Sequence, residues 1–284
     1  MFGWLTKRFK QTAIQPRGPR LQRQSYDAAA LTPEALRDWA NVDDLAADAA
    51  ASPSIRTIIR KRGRHELLNN PYMDGIIQTL AGDVVGKTPR LRMRTAARSA
   101  NSLIEREFAV WMKAIRLPSK LRLAVETVAA QGEIFGLLFS NPRLPTLIKL
   151  DVRFYEPDQI ATPDIWLAAD RDRVDGIEFD RAGNPRFYHV LREHPGDTRW
   201  LPIGMKLYDR VPAEWMVHLF KIRRPGQHRG VPRIMSSLPL FPQRRSFRQS
   251  VLTAARVAAQ LGAVLLENEQ DPNSADPLDA GVAV

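Results

Sequence analysis

Residues 211–232, VPAEWMVHLFKIRRPGQHRGVP, constrain this chain more than any other stretch. The run starts as a strand, with Trp215, Val217, Leu219 and Ile222 as its apolar material. It stops at Arg223-Arg224-Pro225-Gly226. Pro225 has no N–H to offer a sheet, and Gly226 and Gly230 tolerate positive φ. A buried strand therefore delivers a stiff loop to a fixed place, and the loop carries Arg223, Arg224 and Arg229.

The rest of the chain shares that excess of cations. Lys and Arg number 42 against 31 Asp and Glu, a net charge of +11, which favours polyanionic partners. Residues 1–30 read as a basic extended arm, with Lys7, Arg8, Lys10, Arg17, Arg20 and Arg23 against Asp27 alone. Hydrophobic residues make up 44%, enough for a packed core over 284 residues. No apolar run approaches the ~20 residues of a membrane span, so no membrane partner is expected. The absence of cysteine excludes disulfides, zinc–thiolate sites and thiol nucleophiles.

Helical punctuation is clear in residues 31–140. Thr32-Pro33-Glu34 and Ser52-Pro53 place a hydroxyl before a proline at the first helical position. After Pro53, Ile55, Ile58 and Ile59 form an apolar stripe, while Arg56, Arg60 and Arg64 recur every four residues on another face. Three stacked arginines with no acid between them repel unless something anionic lies opposite. DNA backbone, an acidic face on a neighbouring subunit, and a solvated face are the readings open at this point. Asn69-Asn70-Pro71 divides this helix from the next, whose stripe is Tyr72, Ile76, Leu80 and Val84, broadened by Ile77 and Val85 and ended by Gly86. Pro89 to Thr95 alternates as a half-buried strand with Arg90, Arg92 and Arg94 outward. Ser102 and Glu105 form a capping-box pair for a further helix, and another follows Pro118.

Residues 141–235 are β-rich. A hairpin is predicted from Val174–Phe179 and Arg186–Leu191 across the turn Asp180 to Pro185. Residues 236–267 form a long Ala-rich helix, with Ala254, Ala258 and Gly262 as a small-residue row suited to close approach of a neighbour. Residues 268–284 read as a disordered tail. The fold class is α+β, with helices around a mixed, mainly antiparallel β region.

Catalytic spacing is missing. None of the five histidines forms an i, i+4 pair, and neither a phosphate-cradling Gly-rich loop nor Gly-x-Ser-x-Gly occurs. Asp170, Asp172 and Asp175 could hold magnesium in a nuclease, but Arg171 and Arg173 interleave with them. The chain is expected to be no enzyme and to need no cofactor or metal.

Three segments resemble the lambda-family phage portal proteins. They are Asn69-Asn70-Pro71-Tyr72 through Asp83-Val84-Val85-Gly86; Val174 to Asp180 with Gly183-Asn184-Pro185 and Tyr188-His189-Val190; and residues 211–232. They run in the family's order over about residues 55–265, and the third is the most specific. The resemblance implies a portal-like protomer whose helical part, 31–140, is wing-like. It implies self-assembly into a ring, usually a dodecamer, at one vertex of the capsid in the virion, reached from the host cytoplasm during assembly. Double-stranded DNA, the large terminase subunit, the major capsid or scaffolding protein and the head-tail connector protein are the implied partners. Candidates for the nucleic-acid or subunit interface are Arg56, Arg60, Arg64, Arg90, Arg92, Arg94, Arg223, Arg224 and Arg229. Family members are longer, so the chain is expected to be a truncated form or a prophage fragment. A monomeric basic DNA-binding module is the alternative without a ring.

Overall fold

The structure, a computed structural model, describes residues 32–163, 172–197 and 207–268. The expected basic arm, the tail after Asn268 and Asp170 lie outside the described residues. The chain divides into two compact units between Asp44 and Leu45. In the first, Pro33 opens helix α1 (Pro33–Asp38), and Leu36, Trp39 and Val42 are exposed.

The second unit runs through α2 (Ala47–Ala50), α3 (Pro53–Asn69), α4 (Pro71–Val85), α5 (Arg98–Ala114) and α6 (Leu117–Gln131) before its strands. Prolines stand at the first positions of α3 and α4, where a missing N–H costs nothing. Asn70 closes one helix and caps the next, its side chain accepting from Tyr72 N–H at 3.1 Å. Gly86 ends α4 at φ +67°. The Ser102–Glu105 box is not used. α5 begins four residues earlier, at Arg98, and Glu105 instead accepts from Met93 N–H at 2.8 Å.

Strands β1 (Glu133–Ser140), β2 (Leu150–Tyr155) and β7 (Met216–Phe220) form one antiparallel sheet in the order β2-β1-β7. Strands β3 (Arg173–Val174), β4 (Ile177–Phe179), β5 (Pro185–Leu191) and β6 (Tyr208–Pro212) form a second, in chain order. The expected 174–179 strand is broken in two, because Asp175 and Gly176 take positive φ and make a turn between β3 and β4. The turn from β4 to β5 forms as expected: Asp180 Oδ1 accepts from Ala182 and Asn184 N–H, and Gly183 sits at φ +85°. Alternation over Pro89–Arg94 is real, with Arg90, Arg92 and Arg94 exposed, but the segment joins neither sheet.

One apolar core lies where the two sheets meet, built from Phe135, Ile160, Ile177, Tyr188, Val190 and Met216. Phe135 and Tyr188 meet edge to face at 5.8 Å across it. A second core, Met73, Ile77, Ala129 and Ala130, joins α4 to α6. α3 crosses α6 so closely that a Cβ on Gly63 would lie 2.3 Å from Ala130 O.

Burial overturns three sequence expectations. On α3 the arginines go inward and Ile55 and Ile58 stay exposed. On α4 Ile77 is buried and Leu80 packs against the core as expected, but the buried stripe is completed by Met73 and Ala81, while Tyr72, Ile76 and Val84 face out. β7 is a half-exposed edge strand rather than a buried one, with Val217 and Leu219 on its open side. In the last helix, α7 (Leu240–Asn268), nearly every position from 242 to 260 is exposed, and Arg245 near its start is only partly so.

Candidate functional site

The arginine loop after β7 closes on itself and then dives into the molecule. Gly226 turns it at φ +74°, and Gln227 Oε1 accepts from Arg223 N–H at 2.9 Å. His228 anchors the loop to the start of α2, with Nδ1 2.6 Å from Asp48 Oδ2. Arg229 then enters the interior and is fully buried. Gly230 needs no positive φ; it is required because a Cβ there would lie 2.3 Å from Gly132 O.

Arg229 meets Glu133, the first residue of β1, which is also fully buried. Its Nη2 lies 2.8 Å from Glu133 Oε1, and its Nε lies 3.0 Å from the same oxygen. Glu133 also accepts from Arg60 Nη2, from His218 Nε2 at 2.9 Å and from Gly230 N–H at 2.8 Å. Arg229 Nη1 reaches Asp175 Oδ2 at 2.8 Å, and Arg56 Nη2 bonds the same carboxylate. Arg60 and Arg64 both bond Asp158, at 3.2 and 2.7 Å, and Arg64 reaches Glu156 at 2.9 Å. Four guanidiniums thus meet four carboxylates in one network.

This network corrects the reading of the α3 stripe. Arg56, Arg60 and Arg229 are buried and answered by acids of their own chain, so they offer no surface to DNA or to another subunit. Arg64 is partly exposed but spans Glu156 and Asp158. The other five candidates stay exposed. Arg90, Arg92 and Arg94 line the extended segment, while Arg223 and Arg224 sit on the loop rim and donate to Arg233 O and Leu45 O. The Asp175 carboxylate is bonded by Arg56 and Arg229, so it is not a free ligand for magnesium.

Protonation in the hub follows from burial and pairing. Burial pushes the Glu133 carboxyl up, but Arg229, the His218 hydrogen bond and Arg60 outweigh it and hold its pKa well below the carboxylate range. Asp158 is lowered in the same way, with Arg64 and Arg60 overcoming desolvation. His218 lies between Phe135 and Phe220, stacked at 4.2 and 4.4 Å. Its burial outweighs the help of Glu133, so its pKa falls below 6.5. All three groups bind a proton less readily folded than unfolded, so protonation favours unfolding. Their stabilisation is complete above the unfolded pKa values and is lost as pH falls, first His218 below about 6.5, then the carboxylates below about 4. The midpoint of thermal unfolding should therefore fall from pH 7.5 to 5 and more steeply toward pH 3.5. A midpoint constant across this range would remove the hub from the stability of the fold.

Among the described residues, Glu156, Asp158 and His194 lie close enough together to suggest a metal site. Arg64 already holds both carboxylates, and His194 Nδ1 accepts from Gly196 N–H at 3.0 Å. In this structure ion pairs hold the corner, and His194 Nε2 lies 3.2 Å from Glu156 Oε2.

The described surface holds one cationic cluster that periodicity did not reveal. Arg244, Arg245 and Arg248 stand on the first turns of α7 beside Tyr72 of α4. No helix among the described residues is long and apolar enough to cross a membrane.

The chain matches the family model described as phage portal protein, lambda family, over residues 32–283. It belongs to that family. The match takes in the helical part, both sheets, the arginine loop and α7. Phage portal proteins are virion components of genome packaging, and the family is structural rather than catalytic. Among curated proteins, none matches the chain. In this portal protein the arginine loop is an internal strut, binding β1, α3 and the β3–β4 turn through Glu133 and Asp175. Two neighbouring features of the sequence could have announced that role. Glu133 follows a helix-ending Gly132 directly, and Arg229 precedes a glycine that lets its backbone approach that carboxylate.

Proposed function

We propose that the chain is a structural subunit of a portal ring at the capsid vertex. The ring would form the channel for double-stranded DNA in packaging and ejection. It would also dock the large terminase subunit, the capsid or scaffolding protein and the head-tail connector protein. The family match over 32–283 carries the reading. The exposed stretch 242–260 of α7 gives it a physical motive. Phe247, Val251, Leu252 and Val257 are 70%, 49%, 53% and 49% exposed on that helix. A helix with this much exposed apolar surface gains most of its stability from packing, and a heterologous contact repeated around an axis closes a ring. Arg90, Arg92, Arg94, Arg223 and Arg224 remain as candidate contacts to DNA phosphates or to the next subunit, because their side chains stay at the surface. Phosphate attraction is independent of sequence and weakened by salt, which suits contact with moving DNA.

Sedimentation velocity and negative-stain imaging of the chain are expected to show closed rings. Phe247→Asp with Val251→Asp should leave monomers. A wild-type chain that stays monomeric up to high concentration yet binds duplex DNA with a steep salt dependence would replace the ring with a DNA-binding module.

A further inference from the structure

At the start of α7, Arg244 lies over the Tyr72 ring, its guanidinium carbon 3.6 Å from the centroid, and Arg248 lies one turn on at 5.7 Å. Cation–π contact fixes both side chains and strips water from one face of each. The nearby acid, Glu66, is buried and already committed to Arg245 and to Asn70 Nδ2. Arg244 and Arg248 have no carboxylate partner among the described residues. Both line a cavity of about 170 Å³ whose other walls include Phe241, Gln249 and Leu252.

We infer that this cavity is an oxyanion pocket, and that its occupant is a carboxylate side chain from a second copy of the chain. Two guanidiniums on successive turns, both set against the Tyr72 ring, offer several N–H donors and two positive charges to one anionic head. Phe241 and Leu252 on its walls suit the methylene stem of Asp or Glu, and the cavity has room for a whole carboxylate side chain. A duplex is a broad rod with hydrated phosphates on its convex surface, and a small concave pocket with apolar walls fits it poorly. The choice of a second copy rests on the ring reading above, since neighbouring subunits bring the same surfaces together repeatedly.

The test uses the full chain and the double variant Arg244→Ala/Arg248→Ala. Inorganic phosphate is the probe for the pocket alone, read by thermal shift against sodium chloride of equal ionic strength. Phosphate should raise the wild-type melting midpoint and leave the variant unmoved; no difference between the two overturns the oxyanion pocket. Sedimentation velocity then reads the occupant. The variant should need about tenfold more protein to assemble, with fluorescent duplex binding unchanged. Normal assembly with weakened duplex binding assigns the pocket to nucleic acid and overturns the second-copy occupant. A wild-type chain that never assembles overturns that occupant together with the ring, while the phosphate arm still decides the pocket. Tyr72→Leu keeps both charges and removes their shelf, and it should weaken the phosphate response without abolishing it.

Discussion

Glu133→Gln should destabilise the second unit by about 3–5 kcal/mol, the usual cost of removing one partner from a buried ion pair. The substitution keeps the shape of the side chain and removes one charge. Arg229, Arg60 and His218 then face an amide where a carboxylate stood, and the fully buried Arg229 keeps only Asp175 as an acid. The pair holds the loop, β1 and α3 together, so the loss is expected to be global rather than confined to a loop. Urea unfolding of the variant checks it, with Glu133→Gln/Arg229→Gln as the closing arm of a double-mutant cycle. The double variant should be more stable than the sum of single losses, because a buried unpaired charge is worse than none. A single-variant change under about 1 kcal/mol would mean that water or rearrangement reaches the hub.

Gly132→Ala is the second large expected loss, on the order of 3 kcal/mol. Gly132 ends α6 at φ +102°, a conformation strained for any residue with a Cβ. That Cβ would also lie 2.5 Å from Val231 C and 2.7 Å from Pro232 N, which are backbone atoms with no freedom to swing aside. Strain and overlap act together one residue before Glu133, so the variant should also disturb the hub. Gly82→Ala is the internal control. Gly82 lies within α4 with ordinary φ and nothing within 4 Å of a new Cβ, so its replacement should stabilise by about 0.5–1 kcal/mol. Thermal and urea unfolding of the two variants should move in opposite directions. Equal shifts would show that the close approach of α6 to the 231–232 segment has no energetic weight.

The elements whose limits depend on local chemistry were legible before any coordinates. Pro53, Asn70-Pro71 and Gly86 mark α3 and α4, and the Asp180–Pro185 turn marks the β4–β5 hairpin. Backbone geometry at those points follows from a fixed ring, a capping amide or a missing Cβ, each acting within a few residues. The Ser102–Glu105 pair failed because Glu105 found a backbone donor in the preceding extended segment. The Val174–Phe179 strand failed because Asp175 is held by Arg56 and Arg229, partners more than fifty residues away in the chain.

Residue order alone decided the class, an α+β protein with an arginine-bearing loop behind a strand, and it carried the family signature. It also established where helices start, since those signals are local. Only the tertiary structure decided which face of each helix is buried. Periodicity reports that arginines and isoleucines occupy different sides of α3; it says nothing of Glu133, Asp158 and Asp175 waiting on the inner side. A guanidinium goes inward when fixed carboxylates replace its water, and those carboxylates are assembled by folding from strands and turns remote in the chain.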